Sequence, residues 1–265
     1  MKKSPKIYAL AKSIAFVIVF VIFLFAGAQL VHLFKEPLPK LYYGTFGTLG
    51  ALLTLIIFLK IEHKTFKDIN LIIDKKTTLN LLVGILIGIT IFMVMTLVFV
   101  VFGGMYFQKI NSINYSKIAL SLIPFIPLAL MEELAFRTYP FLKLRSKFGV
   151  WHAQFGVAIL FAVYHILMGW PVYIAFLGPF IWSFMFGWSA LWSKGIAMPF
   201  GIHFAVNCMQ NLVGMKNETF AIFKLAYTNS PSKEVAATSE YLGVVMHLVM
   251  LGVACLLTHL CSRKK

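Results

Sequence analysis

Three short patterns put chemistry-bearing side chains into otherwise apolar sequence: Glu132-Glu133-Leu134-Ala135-Phe136-Arg137, Phe161-Ala162-Val163-Tyr164-His165 and His203-Phe204-Ala205-Val206-Asn207. A carboxylate, two imidazoles and an amide suit hydrolysis by an activated water. In that chemistry Glu132 is the general base, and His165 holds the water from the other side. His203 and Asn207, four residues apart and so on one helix face, donate hydrogen bonds to the oxyanion of a tetrahedral intermediate. Glu133 and Arg137 share a face in the same way and pair as a brace. Glu132 points about 100° away from Glu133 around a helix, so it needs its own partner or a water.

Other hydrolytic classes fit less well. There is no His-Glu-x-x-His helix for zinc. The two aspartates, Asp68 and Asp74, fall in a polar loop, which removes an aspartyl dyad. No Gly-x-Ser-x-Gly occurs, although Gly187-Trp188-Ser189 offers a serine within a span. Cys208 follows His203 by five residues, about 140° around a helix, which is poor for a Cys–His dyad. Glu132, His165 and His203 could also bind zinc; that is the minority reading, and no cofactor is expected.

The elements that position these residues must be membrane helices. Of 265 residues, 60% are hydrophobic and 12% charged, with a mean hydropathy of +0.86. An ordinary soluble domain is roughly half apolar and a quarter charged. A bilayer crossing takes about 20 largely apolar residues. Reading by that length predicts spans at about 13–34, 41–59, 80–103, 119–142, 150–168, 171–192, 196–214 and 241–260. The expected fold is an all-α polytopic membrane protein, a bundle of about eight transmembrane helices. It forms one integral-membrane domain over 1–265, with its motif-bearing half at about 119–214. The longest polar loop is expected at 215–240.

The net charge of +15 would suggest nucleic acid in a soluble protein. Here the basic residues lie in breaks between apolar runs, so anionic lipid headgroups are the expected partner and nucleic acid is not. Sixteen Lys and Arg fall on the side of the termini and seven on the other, with Arg137 inside a span. That bias predicts an integral plasma-membrane protein with both termini cytoplasmic. The start resembles a secretory signal ending at Ala26-Gly27-Ala28, but the length of the apolar stretch and the alternation of loop charge favour a retained first helix. Cys208, Cys255 and Cys261 read as small hydrophobes rather than a disulfide framework.

Ionisable groups in hydrocarbon are costly and are functional candidates by default. Seven of the nine acidic residues fall in loops, Glu62 among them; only Glu132 and Glu133 lie inside a span. His32, His152 and His259 sit at span ends, His63 in a loop, and His247 reads as a packing residue. From Lys143, Glu132 lies roughly 16 Å in, and from Lys194, His203 and Asn207 lie roughly 14 and 20 Å in. These three can share one level, in a site opening inward if water reaches it. His165, about 27 Å on from Lys147, falls near the outer end of its span. Pro124 and Pro127 can kink the span that carries the glutamates.

The three patterns, in this order and each within a span, resemble the CAAX protease and bacteriocin-processing (CPBP, or Abi) family of intramembrane endopeptidases. The resemblance covers roughly residues 120–212. It implies a glutamate-dependent peptidase with Glu132 as base, His165 positioning water, and His203 and Asn207 stabilising the oxyanion. Thr138 stands directly after Arg137, where that family often has Gly. The expected substrate is a peptide or membrane-anchored protein. The competing readings are a family member acting without catalysis, as an immunity or regulatory protein, and a carrier that titrates Glu132 and Glu133. The absence of an internal repeat counts against the carrier.

Overall fold

A computed structural model describes residues 4–34, 39–111, 113–227 and 232–263. Lys2, Lys3, Lys35, Glu36, Lys264 and Lys265, which enter the sequence's charge pattern, lie outside them. Lipid offers no hydrogen-bond partner to a backbone, so an apolar chain satisfies itself as helix. The helices are α1 (Pro5–Val31), α2 (Pro39–Ile61), α3 (Lys75–Phe102), α4 (Tyr115–Leu122), α5 (Phe125–Arg137), α6 (Tyr139–Phe148) and α7 (Val150–Leu167). They continue with α8 (Val172–Ala175), which passes through a π-helical turn at Phe176–Phe180 into α9 (Ile181–Ser193), then α10 (Ala197–Leu212) and α11 (Lys233–Arg263). Two short strands, β1 (Met105–Lys109) and β2 (Phe223–Tyr227), pair antiparallel with Met105 opposite Tyr227.

The all-α polytopic bundle is the observed architecture. Among the described residues seven helical stretches are long and apolar enough to cross a bilayer. The eighth expected span is α10, which at 16 residues is shorter. The fourth span differs from the single helix expected at 119–142. It runs over Tyr115–Phe148 and is broken twice. Pro124 stands at the first break, where a missing N–H ends a helix. Thr138, with φ −95° and ψ −109°, makes the second, and its hydroxyl donates to the Leu134 carbonyl. The 215–240 loop is also shorter than expected, because β2 occupies part of it and α11 begins at Lys233.

Between membrane helices the hydrophobic drive is weak, so close backbone approach carries much of the association. α3 and α10 run side by side in the same direction, with Gly84 against Met198 and Gly88 against Ile202. A Cβ on Gly84 would lie 2.2 Å from the Met198 carbonyl oxygen, so only glycine permits this approach. The β1–β2 pair joins the chain following α3 to the chain following α10 at that end of the bundle. Aromatic rings fill the centre: Phe136 meets Phe161 edge-on at 4.9 Å, and Phe16 stacks on Tyr139 at 5.2 Å.

Glu62 is not a solvated loop residue. It follows α2, and its side chain is 8% exposed. It accepts hydrogen bonds from the Tyr139 hydroxyl at 2.6 Å and from Lys143, with Lys12 and Lys64 each 3.5 Å away. Burial pushes this carboxyl up, but the Lys143 and Tyr139 hydrogen bonds and the charges of Lys143 and Lys12 outweigh it and hold it down at about 2.

Candidate active site

Glu132, Glu133 and Arg137 lie on α5, His165 near the end of α7, and His203 and Asn207 on α10. The chain reverses between α6 and α7 at Gly149, whose φ of +85° suits only glycine well. Glu132 is 17 residues before Gly149 and His165 is 16 after it. Both therefore reach the same level, about 25 Å along their helices. The depth mismatch inferred from Lys143 and Lys147 disappears because α6 carries the chain past Lys143 to Phe148 before it turns. The site lies toward the far end of α7, where Trp170 packs edge-on against the His165 ring at 5.1 Å. That is the end away from the basic residues of α6.

Three helices bring their groups together around Glu132. His165 Nε2 is 4.0 Å from one carboxylate oxygen, and His203 Nε2 is 3.7 Å from the other. The Tyr164 hydroxyl reaches the first oxygen at 3.4 Å. His165 Nδ1 faces the Phe161 carbonyl at 2.8 Å. A ring nitrogen opposite a carbonyl carries the hydrogen, so Nε2 is left to face Glu132 as an acceptor in the neutral ring. The Phe161-to-His165 spacing thus has a local cause: i to i+4 places the imidazole over its own helix carbonyl.

Glu133 is fully buried and ties the site together. One oxygen is 2.9 Å from His203 Nδ1 and the other 3.4 Å from Arg137 Nε. The expected Glu133–Arg137 pair is present, and the His203 contact is an addition to it. The Arg137 guanidinium lies over the rings of Phe161 at 5.1 Å and Phe186 at 5.6 Å. Phe186 also stacks on the His203 ring at 4.7 Å. The two carboxylates therefore face one guanidinium and two imidazoles inside apolar walls, where charges interact more strongly than in water.

Asn207 lies one turn beyond His203 on α10 and is half-buried. Its side-chain amide has no hydrogen-bond partner among the described residues. Tyr164 and Phe186 are site neighbours that sequence reasoning missed. Tyr164 had a signal, standing directly before His165; Phe186 had none. His247 is not part of the cluster, and its Nδ1 faces the Gly243 carbonyl of its own helix. Among the described residues no three His, Cys, Asp or Glu side chains form a metal-holding group.

Arranged in this way, the groups can bind a water between Glu132 and His165 and can present donors from α10 to a developing negative charge. No curated protein matches the chain. Residues 114–209 match the model of the Rce1-like family, described as type II CAAX prenyl endopeptidase Rce1-like. That stretch holds the motif residues of the cluster, and the match agrees with the resemblance read from the three motifs: over these residues the chain is similar to the Rce1-like family.

Proposed function

We propose that this protein is an intramembrane endopeptidase that hydrolyses peptide bonds with a water activated by Glu132. The observation that carries the reading is the spacing around that carboxylate. Separations of 4.0 Å to His165 and 3.7 Å to His203 are too long for direct hydrogen bonds. They suit two groups that share one water, since two bonds of about 2.8 Å meeting near a right angle span about 4 Å. Glu132 takes the water's proton as the oxygen attacks the scissile carbonyl, and later returns it to the leaving amine. His165 Nε2 accepts the water's other hydrogen and fixes its orientation. His203 and Asn207 donate to the oxyanion. Glu133 and Arg137 hold His203 in place.

The substrate is a peptide or a membrane-anchored protein, and the bilayer is the protein's surroundings. The charge bias supports cytoplasmic termini, and the plasma membrane is the location that goes with this reading. The test compares wild type, Glu132→Ala and His203→Ala for cleavage of prenylated peptides and of a co-expressed membrane substrate, with and without a chelator. Both variants are expected to lose cleavage, and wild type to keep it in chelator. Chelator-sensitive cleavage restored by zinc would favour the metal reading. Cleavage by none of the three proteins would point to an immunity or regulatory protein or to a carrier.

A further inference from the structure

Tyr164 is buried, 2% exposed, in a cage of rings. Phe136 lies 5.4 Å from it between centroids, Phe20 5.9 Å and Phe161 6.2 Å. A phenylalanine would fill that cage, and a hydroxyl buried without a partner is costly. The Tyr164 hydroxyl has two hydrogen-bonding partners among the described residues. It donates to Glu132 Oε1 at 3.4 Å, and it hydrogen-bonds with Tyr43. An ionised carboxylate only accepts, so the Tyr164 hydrogen faces Glu132 and its oxygen is left to accept from Tyr43. The Tyr43 hydroxyl also lies 3.4 Å from Met168 Sδ, a weak acceptor beside which the phenol oxygen is the stronger one.

Tyr43 reaches the site from α2, a helix that carries none of the three motifs. Glycine holds α2 against α5. A Cβ on Gly44 would lie 2.9 Å from the Leu128 backbone nitrogen, and one on Gly47 would strike Met131 Sδ. The Thr48 hydroxyl adds a hydrogen bond to the Pro127 carbonyl at 2.9 Å. Leu128 stands about one turn before Glu132 and Met131 directly before it. The contact therefore brings Tyr43, next to Gly44, to the level of the base.

We propose that Tyr164, backed by Tyr43, is a positioning residue for Glu132. Oε1 takes the Tyr164 hydrogen on one side and faces His165 Nε2 at 4.0 Å on the other, while Oε2 faces His203 at 3.7 Å. Turning the carboxylate plane breaks the Tyr164 contact, so the hydroxyl fixes the lone pair that takes the water's proton. A phenol that accepts one hydrogen bond donates the next more strongly, which is the contribution of Tyr43. This role rests on the reading of Glu132 as the base.

The experiment compares full-length wild type, Tyr164→Phe, Tyr43→Phe, the double variant and Glu132→Gln for kcat and KM on a prenylated peptide, with melting temperatures on the same samples. Tyr164→Phe should lower kcat about tenfold, as for the loss of one hydrogen bond to a charged group, with KM and melting temperature little changed. Tyr43→Phe should lower kcat about threefold and add nothing once Tyr164 is replaced, because it acts through that hydroxyl. A residue that only packs would give neither the loss confined to kcat nor the missing second loss. Wild-type kcat in Tyr164→Phe beside an inactive Glu132→Gln, or independent losses from the two tyrosines, would overturn the proposal and leave the base in place. If Tyr164→Phe does not fold, Tyr43→Phe decides alone, and an unchanged kcat there overturns the proposal. Cleavage by Glu132→Gln at the wild-type rate would instead remove the base itself, and this role with it.

Discussion

Glu133 and His203 are joined at 2.9 Å through Oε1 and Nδ1, although seventy residues separate them in the chain. The contact constrains what His203 can do. With Nδ1–H committed to a carboxylate, Nε2 of the neutral ring can only accept. To donate toward an oxyanion, the ring must carry both protons. The proposed role therefore rests on an imidazolium held by Glu133 on one side and facing Glu132 on the other, an orienting and charge-balancing arrangement like the aspartate–histidine contact of serine proteases.

Replacing Glu133 with Gln keeps an acceptor for Nδ1–H but removes the charge that supports the imidazolium. The expected outcome is a kcat lower by about 10²-fold or more with KM little changed. Single-turnover cleavage together with KM checks this. A variant with normal kcat would make Glu133 a packing residue only.

The same carboxylate supports the fold. Without it the Arg137 guanidinium is a buried, uncompensated charge, and breaking such a pair costs about 3–5 kcal/mol. Glu133→Gln should unfold well below wild type, and Glu133→Gln/Arg137→Met should recover much of the loss. Chemical unfolding of the single and double variants measures it. Activity that stays low in the restored double variant separates the catalytic effect from the structural one.

Acid should loosen the end of the bundle where Glu62 sits. Its carboxyl is held down at about 2 against an ordinary 4.5. A carboxyl lowered in the folded state contributes stability above its unfolded value, and that contribution is lost as pH falls from about 4.5 toward 2. Glu62→Gln should flatten the dependence of thermal stability on pH in that window and lower stability at pH 7. An unchanged pH profile would contradict the network described around it.

Gly84→Ala should part α3 from α10, because its Cβ would meet backbone rather than a side chain that can move. α10 carries His203, so cleavage should fall together with the melting temperature. Gly252→Ala, where an added Cβ meets nothing within 4 Å, is the control and should leave both unchanged.

Much of this molecule could be read from the chain. Lipid makes apolar length the main signal, and the carboxylates, histidines and Arg137 stood out because ionisable groups are rare in spans. The three motifs contain Glu132, Glu133, Arg137, Tyr164, His165, His203 and Asn207, whereas Phe186 and Tyr43, which reaches Tyr164, lie outside them. Relations that depend on non-local packing were not legible. Glu62 read as a loop residue because its partners Lys12, Tyr139 and Lys143 are distant in sequence. The second bond of Glu133 depends on which way His203 turns. The depth of His165 is not legible from Lys143 and Lys147, because the chain reverses beyond them, at Gly149. The break at Thr138 did have a signal in Pro140, which sits in the first turn of α6.

The most direct test of the Glu132 proposal is single-turnover cleavage of a prenylated peptide by wild type and Glu132→Gln, with melting temperatures measured on the same samples. Gln keeps the size of the side chain and removes its basicity. Wild type should cleave, and Glu132→Gln should be slower by about 10³-fold or more at an unchanged melting temperature. Cleavage by Glu132→Gln within a few-fold of wild type would contradict the assignment of Glu132 as the group that activates water.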